Sequence, residues 1–260
     1  LQVVRCFDND EIIHVDGCID PIRDIEIIET ELALSDLDRM QNAIDKLKKV
    51  AKSANKDAIA KLKFIEKLFD KVSEMTHTHW EREEYALADE LGLLSFKPVL
   101  FIANVDDIND FNQSHVNTVT VHAKKRNAPV IVICAKIEAE LALLEPAEKK
   151  EFLDDLGLSE PGLNKVIRIG HQTLGLHHFY TAGPKEVRSW TLPKNTNAQQ
   201  AAGLIHTDFF KKFIRAEVIH YNDFIRYKGE SGAKKQGVWT VEGKDYIIEE
   251  GDVIFFRIGK

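Results

Sequence analysis

Cysteine is scarce: Cys6, Cys18 and Cys134 are the only three in 260 residues, odd in number and at no metal-ligand spacing. A disulfide framework and a zinc site are therefore excluded, and the three read as reduced thiols. No apolar run approaches the roughly 18 residues that a transmembrane helix requires, and the first residues lack the basic-then-apolar pattern of a signal peptide. No membrane partner is expected, and the cytoplasm is the expected compartment. Low-complexity tracts and solenoid repeats are also missing. What is present, 44% hydrophobic and 30% charged residues, is the composition of an ordinary globular chain and excludes disorder. The net charge of −7 argues against a nucleic-acid coat over the whole protein but leaves room for a local basic patch.

The chain opens on Leu1 and runs straight into Gln2-Val3-Val4-Arg5-Cys6-Phe7, a β-branched, apolar stretch that reads as a buried strand. The next 90 or so residues offer mostly helix. Its sheet neighbours are therefore expected upstream, and the chain is expected to begin mid-fold. From Pro21, preceded by Asp20 as a helix start, Ile25, Ile28 and Leu32 share a face. Leu37, Met40, Ile44, Leu47 and Ala51 then follow the 3-4 spacing of a coiled-coil seam. Ser53 to Asp57 breaks the run, and Leu62, Ile65, Phe69 and Val72 resume the spacing, which predicts an αα-hairpin. His77-Thr78-His79-Trp80 lacks a third ligand and reads as a surface turn. A short helix over Glu83 to Leu94 is expected to end near Gly92.

Two continuous apolar runs, Val99 to Ala103 and Val130 to Ile133, have the character of fully buried parallel strands. Each ends in a polar loop, Asn104-Val105-Asp106-Asp107 and Cys134-Ala135-Lys136. Ligands of open α/β sheets bind at the carboxyl ends of strands, so these loops are the candidate site. From about Leu176 strands predominate: His178 to Thr181, Val187 to Leu192, Ala216 to Ile219, Gly237 to Val241 and Ile254 to Ile258, around one helix from Asn197 to Ile205. A separate small α+β domain is expected there.

The motif order is specific. Asn104-Val105-Asp106-Asp107, Cys134-Ala135-Lys136-Ile137-Glu138, Glu160-Pro161-Gly162-Leu163-Asn164, Phe179-Tyr180-Thr181-Ala182-Gly183 and Ile205-His206-Thr207-Asp208-Phe209 together resemble the Obg-like ATPases, the YchF family. The resemblance implies a P-loop sheet carrying an inserted helical coiled-coil hairpin, followed by a small β-grasp-like TGS domain. It divides the chain into residues 1–20, a remnant of the nucleotide-binding domain; 21–95, the helical insert; 96–175, the rest of the nucleotide-binding domain; and 176–260, the TGS domain. It further implies ATP binding, Mg2+ in the full-length protein, and association with the ribosome and ribosomal RNA. A phosphate loop of the form G-x-x-x-x-G-K-[ST] does not occur in these residues. The expectation is thus a family member lacking the N-terminal P-loop portion and inactive alone as an ATP hydrolase, since phosphoryl transfer depends on positioning the phosphates.

By the same resemblance Asn104, Val105, Asp107, Cys134, Ala135 and Lys136 bind the nucleotide base, with the Val105 carbonyl accepting from the adenine amino group. Val105 stands where guanine-reading loops carry lysine. Asp107 stands where the family usually has Glu and keeps the length of a guanine-reading carboxylate, so GTP remains the alternative to ATP. Lys211, Lys212, Arg215, Arg226 and Lys228 are candidate RNA contacts through phosphates. His206, Asp208 and Arg215 read as a helix cap and an ion pair, with no catalytic role in this chain. Two rival functions stay open: a non-hydrolysing ribosome- or RNA-binding module, and a GTP-binding regulator.

Overall fold

Apolar residues on both faces of a strand demand cover on both faces, and the run ending at Ala103 obtains it. In a computed structural model, which describes residues 1–9, 19–52, 55–74, 80–183 and 186–259, β1 (Gln2–Arg5), β2 (Phe101–Asn104) and β3 (Val130–Ile133) form a parallel sheet in the order β1-β2-β3. Phe101 and Ala103 point to one face, among Val4, Cys6, Ile25, Val116, Val119 and Ala123. Leu100 and Ile102 point to the other, with Ile131, Ile133, Val166 and Ile169. The period of two separates the faces cleanly. Helices α1 (Pro21–Ala51) and α4 (Gln113–Lys125) cover the first face, and α7 (Gly162–Thr173) covers the second.

The expectation of upstream neighbours for the first strand is corrected here. Gln2, Val3, Val4 and Arg5 pair in register with Phe101, Ile102, Ala103 and Asn104, so β1 has its partner inside the chain. The partner was hard to see because almost a hundred residues separate the two strands, and most of the described ones among them are helical.

Asp20 starts α1 by accepting from the Ile22 and Arg23 N–H groups, and Pro21 occupies the position where a missing N–H costs nothing. Ile25 lies in the sheet core, whereas Ala33, Met40 and Ile44 join Ile65, Leu68 and Val72 of α2 (Lys56–Ser73) in a separate helical core. One helix of about 46 Å thus serves two cores. Ile28, expected on the inner face, is exposed, because the buried stripe runs through Ile25, Ala33 and Asp36 instead. Helix α3 (Arg82–Leu91) ends at Gly92 in the left-handed conformation, φ 67°. Residues 75–79, with His77 and His79, and residue Cys18 lie outside the described residues; Trp80 packs on Phe96 with ring centroids 4.3 Å apart. Cys6 and Cys134 are free, buried thiols.

Among the described residues four buried carboxylates hold the elements together, and each has partners. Asp36, in the middle of α1, accepts from the Leu94 N–H, the Ser95 N–H and the Ser95 hydroxyl, each at 2.7 Å, and so ties the return segment to the hairpin. Burial works to raise the Glu84 carboxyl, but the Lys71 ammonium and the Glu81 N–H outweigh it and hold it below the usual carboxylate range.

The chain forms two compact units, Leu1–Ile169 and Gly170–Lys260. Between β3 and α7 come α5 (Ala135–Leu143) and α6 (Pro146–Asp155). The second unit is built on a mixed five-stranded sheet of β4 (Leu176–Ala182), β5 (Val187–Pro193), β6 (Phe213–His220), β7 (Thr240–Glu242) and β8 (Asp252–Ile258), ordered β5-β4-β8-β6-β7. Only β4 and β8 run parallel. Helix α8 (Ala198–Ile205) buries Ala198 and Ala201 on one face, against Phe179, Val218 and Ile254. The strand expected from Gly237 is shorter than its pattern. Gly237, at φ 71°, and Val238 close the turn after α11 (Glu230–Lys235), so pairing begins only at Thr240. Two further short helices, α9 (Thr207–Lys211) and α10 (Tyr221–Arg226), were not foreseen. Among the described residues no helix is long and apolar enough to cross a membrane.

Asp36→Ala leaves the Leu94 and Ser95 donors unpaired and should destabilise the first unit by about 3 kcal/mol, read from urea unfolding followed by circular dichroism. Burial, reinforced by the Asp24 carboxylate, pushes the Cys6 thiol up to about 11. Its contribution is fully present below the unfolded-state value near 9 and is lost as pH rises through the folded value. Native protein at pH 8 should therefore leave Cys6 unmodified by iodoacetamide, and denatured protein should not.

Candidate functional site

Strands β2 and β3 end side by side, so the loops that follow them meet. Asn104 closes β2, and its side-chain oxygen accepts from the Ala135 N–H at 3.0 Å. Ala135 is the first residue of α5, whose own N-cap residue, Cys134, makes no side-chain cap; the neighbouring strand supplies it instead. The Cys134 thiol donates to the Asp106 carbonyl at 3.1 Å, and the Val105 N–H donates to the Ile133 carbonyl at 2.8 Å. Asn104, Val105, Cys134 and Ala135 are thus brought together as one hydrogen-bonded rim.

Within this rim the Val105 side chain is buried in the sheet core. Its carbonyl meets no donor among the described residues. The Asp107 carboxylate accepts from the Asn109 N–H at 2.8 Å and the Asp110 N–H at 3.3 Å, so it folds its own loop while staying exposed. Lys136, on the first turn of α5, is exposed.

Sequence reasoning gave Glu138 no role of its own. Its two oxygens accept from Gly162 at 2.7 Å and Leu163 at 3.0 Å, capping the start of α7 from α5. A cavity of about 20 Å³ beside Cys134 is lined by Ile108, Ile137, Glu138 and Lys165 among others. The readable signal was the Glu160-Pro161-Gly162 turn, because a Pro-Gly pair marks a turn ahead of the next element. A cavity of about 380 Å³ lies elsewhere, among Glu26, Glu29, Lys71, Trp80, His122 and Arg126. His122 and Arg126 are at the far end of α4 from the base loop, about 20 Å along the helix. The cavity is therefore no part of the rim.

Among the described residues no group of three or more His, Cys, Asp or Glu is placed to hold a metal.

In the second unit His206 accepts from the Asp208 N–H through Nδ1 at 3.1 Å, and Arg215 pairs with Glu217 at 3.1 Å, a helix cap and an ion pair as expected. The candidate RNA contacts fall in two stretches of the chain: Lys211, Lys212 and Arg215 stand at the start of β6, and Arg226 and Lys228 follow its end on and after α10.

These features define a class: a parallel α/β sheet of the P-loop type with its loops at the strand ends, a helical region between its first two strands, and a separate mixed-sheet domain. A family described as "YchF-GTPase_C: Protein of unknown function (DUF933)" matches residues 176–259. The "Ribosome-binding ATPase YchF" of Haemophilus ducreyi is 49% identical over 259 residues, 98% of this chain and 71% of that protein. The protein of the same name from Bacillus subtilis is 42% identical over 98% of this chain and 72% of its own length. The solved "Structure of the Schizosaccharomyces pombe YchF GTPase" is similar with a TM-score of 0.85 and 33% identity, over 98% of this chain and 71% of that one. The chain belongs to the YchF family. Membership holds over the chain as it stands. The expectation of a remnant identified by an orphan strand is corrected: the strand that prompted it is paired with β2, and the chain is similar to YchF relatives along 98% of its own length and 71% of theirs.

A methyl group on Gly162 would lie 2.8 Å from a Glu138 oxygen and 3.1 Å from Ile133. Gly162→Ala should therefore cost about 1–3 kcal/mol by displacing the cap, measured as a lower urea midpoint with an unchanged m-value.

Proposed function

We propose that this protein is a ribosome-binding, nucleotide-handling protein of the ATPase type, and that the base of the nucleotide sits in the rim formed by Asn104, Val105, Asp107, Cys134, Ala135 and Lys136. The observation that supports the site is the Asn104–Ala135 hydrogen bond, which holds two strand-end loops in one rim while the Val105 carbonyl is left without a donor. A carbonyl in that position complements the exocyclic amino group of adenine. It meets the carbonyl at the same edge of guanine with repulsion, which favours ATP over GTP. Asn104 keeps its amide NH2 for the base, because its oxygen is spent on Ala135.

The roles of the other groups follow from their exposure and bonds. The Cys134 thiol, spent on the Asp106 carbonyl, is a packing group and not a nucleophile. Lys136 is free to cover the ring. Asp107 carries the alternative reading: were it to turn from the Asn109 and Asp110 N–H groups to a guanine edge, its own loop would lose two hydrogen bonds. No hydrolytic step is assigned to residues of this chain. Residues 21–95 are read as the coiled-coil insert and 176–260 as a TGS domain contacting ribosomal RNA. Binding to ribosomes would place the protein in the cytoplasm.

The base site is tested by titrating the protein with fluorescent ATP and GTP derivatives. ATP should bind more tightly than GTP. Asn104→Ala should weaken ATP binding by about 1–3 kcal/mol, the cost of an unsatisfied buried partner. Unchanged affinity in Asn104→Ala would remove Asn104 from the site, and tighter binding of GTP would overturn the adenine assignment.

A further inference from the structure

The β6–β8 pair carries a charged arrangement that neither the helix cap at His206 nor the hydrophobic core explains. Arg215 and Arg257 are directly opposite each other in the antiparallel register, where like charges repel. Between them the Glu217 carboxylate, almost fully buried, accepts from Arg215 Nη2 through one oxygen at 3.1 Å and from Arg257 Nη2 through the other at 2.7 Å. The Arg257 hydrogen bond does most to hold the Glu217 carboxyl below the usual range; burial opposes it, and Arg215 adds to it. Glu217 is therefore charged at neutral pH, and one carboxylate faces two guanidiniums.

From this arrangement we propose that Arg215, Glu217 and Arg257 form a clamp for the phosphates of an RNA strand on the face of the five-stranded sheet opposite α8. The proposal rests on the ribosome-binding reading and deepens it by naming the contact and its chemistry. Three observations carry it. Each guanidinium is half-exposed and spends one Nη2 on Glu217, so four of its five N–H donors meet no acceptor among the described residues. A guanidinium anchored at one nitrogen with its other donors facing water can take a phosphate through paired hydrogen bonds. Arg215 and Glu217 are two residues apart in continuous register and so share the face away from Ala216 and the core, while the register shift just before Arg215 lets Phe213 stay on the core side.

The surroundings keep the balance positive. Lys234 of α11 adds its charge to the Glu217 environment while pairing with Glu230 at 2.6 Å and lying 4.7 Å from the centre of the Trp239 ring. Three cations against two carboxylates leave one positive charge. A purely structural role for Glu217 would need a single cation. The second, set opposite the first in spite of their repulsion, is accounted for by an anion that both can reach.

The test uses the whole chain with two probes: a short fluorescent single-stranded RNA of mixed sequence, read by anisotropy from about 50 to 200 mM salt, and purified ribosomes, read by co-sedimentation. Arg215→Gln with Arg257→Gln removes both forks but leaves Glu217 buried and unpaired. A triple variant that adds Glu217→Gln removes the charge as well, and its thermal midpoint is checked against the parent. Lys150→Gln, on α6 in the first unit, is the control. The expected result is a loss of RNA affinity of about tenfold or more in the folded triple variant. The slope of log K against log salt should become shallower by about 1.4, the value for two phosphate contacts on a single strand. Ribosome binding should weaken in parallel, and Lys150→Gln should match the parent. Unchanged RNA affinity and slope in the folded triple variant would overturn the clamp, as would loss of ribosome binding alone, which would assign the face to a protein. Failure of the parent chain to sediment with ribosomes while it still binds RNA through these residues would sink the ribosome reading and leave the clamp standing.

Discussion

Parallel pairing of Gln2–Arg5 with Phe101–Asn104 is the constraint from which the first unit follows. Two parallel neighbours require a crossover of a dozen or more residues, and here the crossover holds the whole helical hairpin. The pairing places Val4 and Cys6 beside Phe101 and Ala103, which brings Ile25 of α1 onto the same core. Because α1 continues from Ile25 to Ala51, its far half needs its own apolar cover, and α2 and α3 provide it. The second core is a consequence of the first strand's choice of partner.

A hairpin that leaves the sheet and returns to it must be fastened where it returns, and the fastening is electrostatic. Asp36 gathers three donors from Leu94 and Ser95, and Glu84 takes Lys71. In the second unit Asp252 receives the Tyr246 hydroxyl and the Glu249 N–H ahead of β8, while Glu217 receives two arginines. A buried carboxylate without such partners would be costly, so each of these positions also fixes which segments lie together. Three of the four are satisfied mainly within a structural joint. Glu217 is satisfied by two half-exposed guanidiniums whose remaining donors face water, and that makes it a candidate site as well as a fastening.

Much of the fold was legible because period and punctuation agreed. The 3-4 spacing through Met40, Ile44, Ile65 and Val72 marks the buried seam, and Asp20-Pro21 and Gly92 mark a helix start and a helix end. The base-site loops were legible as polar breaks after buried strands. Their hydrogen bonding was not: that Asn104 caps α5 depends on β2 and β3 being neighbours, a relation between residues about 30 positions apart that no local pattern carries. Asp107 shows the same limit, since one residue type serves equally for reading a base and for folding a loop, and only the positions of the Asn109 and Asp110 N–H groups decide which it does here.

Arg257 was overlooked because its charge, in Phe255-Phe256-Arg257-Ile258, has no meaning until β8 is set against β6. The same holds for the first strand, whose apolar residues were read correctly as buried and whose partner was sought in the wrong direction. The sequence by itself determined which segments are helix or strand, which faces are apolar and which family's motifs the chain carries, because those properties reside in neighbouring residues and their spacing. Tertiary structure alone decided the partner of β1, the joint at Asp36, the rim at Asn104 and the pairing of two arginines on one carboxylate. Each of these is a contact between residues distant in the chain, created when strands choose their neighbours.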